Sequence, residues 1–314
     1  MQSGVAAESA FKNISMSDRL FKRFGEFIYK ECGIKLPPAK KTMLTVRLFR
    51  RLRALGMNSF GQYYDYVCSP ESRSGERIRM IDAVSTNKTD FFREPAHFDI
   101  LGRQALPDLV GSMHNGSRKK LNVWSAGCSS GEEPYTLAMV LSEFFTERQN
   151  KAQADAKSLT RPLDQFSILA TDISIQVLET AKKAIYPKQM VNPVPPMMKR
   201  KYLMHGTGSQ KEFYRMVPEL RSRITFQRLN FMENNFGIRM LMDIIFCRNV
   251  IIYFDRQTQI KLFEKFYNQL APGGYLFIGH SESLHGINNR FRLVATTTYK
   301  KPGKATGTNT KTER

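Results

Sequence analysis

Residues Leu121 to Leu141, LNVWSAGCSSGEEPYTLAMVL, set an apolar run against a turn of small residues and then an acidic helix start. Leu121, Val123 and Trp124 suit a buried strand, Ala126 to Gly131 carry no side chain larger than Cys, and Pro134 suits the first turn of a helix. A strand, a tight loop and a helix in that order open an α/β sheet, and in such sheets a ligand sits beyond the carboxyl ends of the strands. Small residues there let the main chain come close to it.

The spacing limits which ligand. A dinucleotide-binding turn is expected to show G-x-G-x-x-G and to rest a pyrophosphate on the helix N-terminus. Here only Gly127 and Gly131 are present, and Glu132 and Glu133 stand where a phosphate would be placed and would repel it. A cationic ligand fits better; S-adenosylmethionine has a sulfonium, an ammonium and no phosphate. The two acids also favour the helix dipole in a first turn, so the pair alone leaves both readings open.

The chain has 314 residues, enough for two domains, and a formal net charge of +20. Such an excess favours encounter with an acidic partner: nucleic acid, an anionic membrane surface or an acidic protein face. No apolar run approaches the roughly 20 residues that cross a bilayer, and the first residues lack a signal-peptide core, so a soluble intracellular protein is expected. Cys32, Cys68, Cys128 and Cys247 are scattered and are expected as thiols. The five His form no ligand pair at helical or strand spacing, so no metal site is expected.

Along the chain, residues 1–15 read as a flexible N-terminus and 16–84 as a helical domain, with apolar residues at helical spacing (Leu20, Phe21, Phe24, Phe27, Ile28) and a break at Pro37-Pro38. Within it, residues 39–55 form a helix with Leu44, Leu48, Leu52 and Leu55 on one stripe, arginines on another face, and Gly56 as C-cap. No acid occurs between Glu31 and Asp65. A purely basic helix suggests a docking face; a merely solvated one is the alternative. Residues 85–110 read as a linker in which Ser85 to Glu94, STNKTDFFRE, could fold over a neighbouring site, although Thr89 or Asp90 could equally cap a helix containing Phe91 and Phe92. Residues 111–300 carry the α/β pattern. After the first unit comes a polar loop to about Pro162, then a strand Phe166–Thr171 ending at Asp172, placed to accept from ribose hydroxyls or to cap the next helix, 175–185. Residues 199–227 read as an inserted hairpin-like piece, followed by strands near 224–229 and 243–247, a helix 257–270, a turn at Pro272-Gly273-Gly274, a strand 275–279 and a last strand 291–299. The tail 301–314 reads as disordered and basic.

Five segments, STNKTDFFRE (85–94), SAGCSSGEEPYTLA (125–138), ATDIS (170–174), FCRNVIIYFD (246–255) and GHSE (279–282), together resemble the CheR family of chemotaxis receptor glutamate methyltransferases. The likeness runs from about residue 17 to 300, with all five in order. It implies an N-terminal all-α domain joined to a class I, Rossmann-like, S-adenosylmethionine-dependent methyltransferase domain with a mostly parallel sheet and a small antiparallel β-subdomain. The implied reaction methylates glutamate side chains of chemoreceptors and leaves S-adenosylhomocysteine. The implied cofactor contacts are Asn87, Thr89, Arg93, Glu133, Asp172, Asn230 with Phe231 in RLNF, and Asn249 with Val250 in CRNV. Arg93 and Tyr253 fall nearest the transferred methyl. Between the two acids of the loop, Glu133 is assigned to the methionine ammonium and Glu132 to the helix start.

The chemistry suits that inventory. A glutamate carboxylate titrates near 4.3, so it is already a nucleophile at neutral pH and needs no general base. The rival readings are a nucleic-acid methyltransferase and a non-catalytic S-adenosylmethionine-binding adaptor. An amine-methylating enzyme of the first kind typically has an Asn/Asp-Pro-Pro-aromatic motif where this chain reads RNVIIYF, and no Pro-Cys pair serves as a cytosine-type nucleophile. The present Arg93 and Tyr253 argue against the second. Expected partners are the cytoplasmic domain of a chemoreceptor, met by Arg47, Arg50, Arg51 and Arg53, and a receptor C-terminal peptide on the β-subdomain. No nucleic acid is expected; the enzyme is expected as a cytoplasmic monomer recruited to receptor clusters.

Overall fold

The computed structural model describes residues 15–72, 75–113, 120–154, 165–287 and 290–303. The loose N-terminus and the basic tail expected from sequence, like most of the polar loop before Phe166, lie outside the described residues, apart from Ser15 and residues 301–303.

Helices α1 (Asp18–Cys32), α2 (Lys41–Leu55), α3 (Phe60–Cys68) and α4 (Glu76–Val84) form the N-terminal domain. Their ends follow local chemistry: the Ser17 hydroxyl accepts from Leu20 N at 3.2 Å, Ser59 does the same for Gln62 N, and Gly33 and Gly56 close α1 and α2 in the left-handed region. Leu44, Leu48 and Leu52 of α2 meet Phe24, Ile28, Tyr63 and Met80 in one core. Leu55, expected on the same stripe, is half-buried at its edge.

The four arginines of α2 do not share a face. Arg51 donates from Nε and Nη2 to the two oxygens of buried Glu76, at 2.9 and 2.8 Å, and the Tyr63 hydroxyl joins the same carboxylate at 2.9 Å. Arg47 Nη1 donates to the carbonyls of Val84 and Ser85 at 2.7 and 2.8 Å, closing the end of α4. These two arginines hold the domain together, whereas Arg50 and Arg53 are exposed.

Residues 85–110 are only in part a linker. Phe91 and Phe92 lie in a turn rather than a helix, and α5 (Ala96–Ile100) continues through a π-helical turn, Leu101–Ala105, into α6 (Leu106–Met113). Phe91, Phe98, Leu101 and Leu106 are buried in the core of the second domain.

That domain is built on a seven-stranded sheet of β1 (Leu121–Ala126), β2 (Phe166–Asp172), β6 (Ile224–Arg228), β7 (Met242–Cys247), β8 (Leu270–Ile278), β9 (Arg292–Ala295) and β10 (Thr298–Lys300), in the order β6-β2-β1-β7-β8-β10-β9. All neighbours from β6 to β8 are parallel; β10 runs antiparallel to β8 and to β9. The single last strand expected at 291–299 is thus a hairpin, turning at Thr297, whose φ is +50°. The two-residue period of the central strands assigns side chains to opposite faces. Val123, Ile244, Phe246 and Phe277 enter the core on one side with α7 (Glu132–Ala154), while Trp124, Ile245, Leu276 and Ile278 enter the other with α11 (Arg256–Gln269).

Between β2 and β6 run α8 (Ile175–Lys183), β3 (Ile185–Pro187), α9 (Pro196–Tyr202), β4 (Leu203–His205), β5 (Phe213–Met216) and α10 (Pro218–Arg221). Here three expected boundaries shift. Helix α8 stops at Lys183 because Ala184 is left-handed, and Ile185 begins β3 of a separate antiparallel sheet, β3-β5-β4. The insertion therefore starts earlier than residue 199, and Ile224 to Gln227, expected inside it, belong to the edge strand of the main sheet. Proline punctuation between residues 187 and 196 hid β3, which is too short to show a period.

Candidate functional site

Chain order reverses beside β1: from it the chain goes outward to β2 and β6, then crosses to β7 and β8 on the other side. The crevice beyond the carboxyl ends of such strands is where α/β sheets hold ligands. A cavity partly open to solvent lies there. Its floor is the loop after β1, with Gly127 and Ser129, and Glu133 in the first turn of α7, together with Asp172 at the end of β2, Leu229 to Phe231 after β6, and Arg248 to Val250 with Tyr253 after β7. Residues 84–90 and Arg93 form one wall. The N-terminal domain supplies the roof: Cys32, Ile34 to Leu36, Lys40 and Met43 line the same space.

The loop is held by backbone bonds from Gly127 N and Cys128 N to the Thr171 carbonyl at 2.8 and 2.9 Å, which tie the end of β1 to β2. Gly127 has φ of +88°, and a Cβ built on it would lie 2.4 Å from Val250 Cγ2. Glycine is required there by backbone conformation and by close approach alike. Four non-glycine residues around the cavity share the left-handed region: Phe92, Glu94, Ser129 and Asn249, with φ of 54°, 55°, 48° and 58°. Each costs roughly 1–3 kcal/mol, and such strain concentrates at ligand sites.

Every residue to which the sequence assigned cofactor contact or methyl transfer lines this one cavity: Asn87, Thr89, Arg93, Glu133, Asp172, Asn230, Phe231, Asn249, Val250 and Tyr253. The two acids of the loop part company. Glu132 is fully buried, accepts the Ser130 hydroxyl at 2.8 and 3.0 Å, and is pushed up to about 7 by burial, so it holds less charge than a helix-start acid in solvent would. Glu133 faces the cavity; its Oε1 accepts the Ser125 hydroxyl at 2.6 Å and its Oε2 accepts Arg248 Nη1 at 3.3 Å. Burial raises its pKa, and the Arg248 guanidinium is the strongest opposing influence. Asp172 accepts Ser129 N at 2.9 Å and Ser174 N at 3.0 Å, while the Ser174 hydroxyl caps α8. The carboxylate thus buttresses the loop and, with roughly four lone-pair positions, still has acceptor capacity for a ligand.

Asn230 and Asn249 also have structural partners. Asn230 Nδ2 donates to the Glu31 carbonyl at 2.6 Å, joining the two domains, and Asn249 Nδ2 donates to Glu94 Oε1 at 3.3 Å. Tyr253 ends a short 3₁₀ turn, Ile251–Tyr253, and its carbonyl accepts Lys35 N at 3.0 Å, so it stands at the domain seam rather than in an extension of the strand. Arg93 Nη1 donates to the Lys88 carbonyl at 2.9 Å. Glu282 of the GHSE segment fixes the far wall, accepting Gly279 N, Asn249 N and Ile251 N at 2.6, 3.1 and 3.0 Å.

Sequence reasoning missed Arg248, Glu94 and the roof. Arg248 and Glu94 sit inside quoted motifs, and a lone arginine directly after the wholly buried strand β7 was the available signal. The roof residues gave none. The fold also gathers Glu94, His97 and His280, whose ligand-type atoms lie within 4.8 Å of one another although no sequence spacing links His280 to the other two. The oxygen that His97 Nδ1 faces at 3.3 Å, Glu94 Oε2, already accepts Arg248, whose charge opposes a cation there.

The lining suits S-adenosylmethionine: it offers two carboxylates (Glu133 and Asp172) to a ligand with an ammonium and ribose hydroxyls, a loop kept bare by Gly127, and apolar surface from Ile34, Leu36, Val250 and Phe231.

Comparison with known proteins agrees with this geometry. Residues 87–300 match the model of the CheR methyltransferase SAM-binding domain, and residues 19–85 that of the CheR methyltransferase all-alpha domain. The chemotaxis protein methyltransferase of Borreliella burgdorferi is 38% identical over 291 residues, covering 92% of this chain and 96% of that protein. The one from Escherichia coli K12 is 35% identical over 288 residues, covering 92% of each. With both of its domains matched and relatives this similar along nearly their whole length, the chain belongs to the CheR methyltransferase family.

Proposed function

We propose that this chain methylates glutamate side-chain carboxylates of chemoreceptors with S-adenosylmethionine, giving glutamate methyl esters and S-adenosylhomocysteine in chemotactic adaptation. The reading is supported above all by one observation: a single cavity is lined by Glu133 and Asp172, the groups we assign to the donor, and by Arg93 and Tyr253, those we assign to the acceptor side. S-adenosylmethionine supplies an electrophilic methyl on a sulfonium. The protein aligns the acceptor carboxylate with it and excludes water. Glu133 and Asp172 hold the two polar ends of the donor, and the residues after β7 shape the space between them. Arg93 orients the incoming carboxylate. It must do so loosely, because neutralising the nucleophile in the ground state would raise the barrier. Tyr253 positions the acceptor from the domain seam. The test is incubation with radiolabelled donor and receptor-bearing membranes followed by mild base: an ester releases volatile methanol, and stable label on protein or nucleic acid would refute the assignment.

The receptor meets the N-terminal domain through Arg50 and Arg53, the arginines of α2 left exposed, with Val46 exposed beside them. A receptor C-terminal peptide adds to the small sheet. Since β5 is paired on both sides, the peptide must join an outer strand, and β4 carries exposed Met204 and is followed by Gly206, where a Cβ would lie 2.1 Å from the Gln210 carbonyl oxygen. Calorimetric titration with the isolated receptor tail tests this; absence of heat would remove it. The protein works as a monomer recruited to membrane-bound receptor clusters.

A further inference from the structure

Arg248 is nearly inaccessible, with its side chain 2% exposed, yet it reaches three separate groups. Nε and Nη2 donate to Glu94 Oε2 at 3.3 and 3.1 Å, Nη2 also donates to the Arg93 carbonyl, and Nη1 donates to Glu133 Oε2 at 3.3 Å. The guanidinium lies 5.5 Å from the ring centroid of Phe98 and 5.9 Å from that of Phe246. Only a rigid fork of donors serves acceptors on two sides at once; a lysine ammonium is a point charge on a flexible stem. Arg248 therefore ties the segment carrying Arg93, on the acceptor side, to the carboxylate on the donor side.

We propose that Arg248 is a positioning residue that holds the Glu133 carboxylate aimed into the cavity for the donor's ammonium, and that Glu94 competes with Glu133 for it. The inference rests on the assignment of Glu133 to the donor. Its physical need is clear from the surroundings. The charged and titratable groups facing Glu133 are Arg248 at the end of β7, Arg93 and Glu94 before α5, Cys128 of the loop and Cys247 of β7; Ser125 of β1 donates a neutral hydrogen bond. Burial and Glu94 push Glu133 toward the neutral acid, and Arg248 is the strongest force the other way, ahead of Arg93. A neutral Glu133 would lose its charge-assisted bond to an ammonium.

The test is calorimetric binding of S-adenosylhomocysteine, which has the same ammonium and does not react, from pH 5.5 to 7.5, below the ordinary range of an α-amino group at about 7.7–8.0. Arg248→Gln is expected to weaken binding tenfold or more at pH 6 and to regain affinity as the pH rises. Glu94→Gln, which leaves Arg248 wholly to Glu133, is expected to move the acid limb of binding to lower pH than in the unmodified enzyme. Opposite shifts in the two variants support the inference. A pH-independent loss in Arg248→Gln, which a merely structural role would give, overturns it, as does a Glu94→Gln limb that stays put or moves up. Should Arg248→Gln fail to fold, Glu94→Gln decides alone. Glu133→Gln separates the premise: unchanged binding there refutes the Glu133 assignment itself, whereas weakened binding there with a flat Arg248→Gln profile refutes only the role of Arg248.

Discussion

Replacing Gly127 by alanine puts a single carbon at the narrowest point of the donor loop. The residue has φ of +88°, and an L-residue forced into left-handed backbone costs roughly 1–2 kcal/mol. The added Cβ would stand 2.4 Å from Val250 Cγ2, where ordinary contact begins at 3.4 Å, so Val250 must retreat by about 1 Å. Overpacking of that kind costs typically about 1–3 kcal/mol, giving about 2–5 kcal/mol in all. The direction of retreat is also constrained. Asn249 N and Ile251 N are anchored to Glu282, so the main chain on either side of Val250 cannot back away and the side chain must turn into the cavity. If about 1.4 kcal/mol of the strain reaches the bound state, affinity for S-adenosylhomocysteine falls tenfold. The thermal midpoint should fall by about 2–4 °C for each kcal/mol lost by a domain of this size. Gly131→Ala is the control, with φ of +100° and a Cβ 2.8 Å from the Tyr186 hydroxyl and 2.9 Å from Ala181 Cβ, facing α8 and away from the cavity. It should lose comparable stability and much less affinity. Calorimetry and thermal melts on both variants decide. Unchanged binding by Gly127→Ala, or equal affinity losses in the two, would refute the reasoning.

Three other perturbations probe separate parts of the molecule. Glu76→Ala leaves the Arg51 guanidinium and the Tyr63 hydroxyl without their carboxylate, and removing one member of such a buried set costs about 3–5 kcal/mol; urea denaturation should show the N-terminal domain melting early, and a loss under 1 kcal/mol would contradict the network. Arg50→Glu should raise KM for receptor and blunt its salt dependence while S-adenosylhomocysteine affinity stays constant; kinetics equal to those of the unmodified enzyme would sink docking on α2. Burial, aided by the charge of Arg248, holds His97 down to about 4, against an ordinary 6.5. The unfolded chain therefore takes up this proton first: the stability contribution is full above pH 6.5 and is lost as pH falls toward about 4, by at most about 3 kcal/mol. His97→Asn should flatten that limb in urea titrations at stepped pH, and an unaltered slope would count against it.

What the sequence made legible was local. The run from Leu121 to Leu141 announces strand, loop and helix because burial, small residues and a helix start follow one another without interruption. Its acids were ambiguous, since a carboxylate in a first helical turn is favourable whether or not it meets a ligand. Only three dimensions separate Glu132, enclosed with Ser130, from Glu133, which faces the cavity with Arg248 behind it. The basic helix misled for a related reason. Absence of acids along α2 says nothing of acids arriving from elsewhere, and Glu76, 25 residues from Arg51, supplies one. Short pieces with no period, such as β3, and long-range associations, such as Glu94 with His280, were beyond any pattern along the chain.

The roof has a consequence for how the enzyme works through several acceptors. Its residues come from the N-terminal domain, which is tied to the other by Tyr29 to Asp255 at 2.6 Å, Asn230 to Glu31 and Lys35 to Tyr253. Each methylation exhausts one donor molecule, and the spent one leaves from a chamber whose cover is the domain proposed to face the receptor. Emptying and refilling thus take place beside that cover, through the part of the cavity open to solvent. A receptor docked over that opening is expected to leave before the donor is replaced, so that modification advances one site at a time; receptors carrying several esters after a single encounter with the enzyme would contradict this.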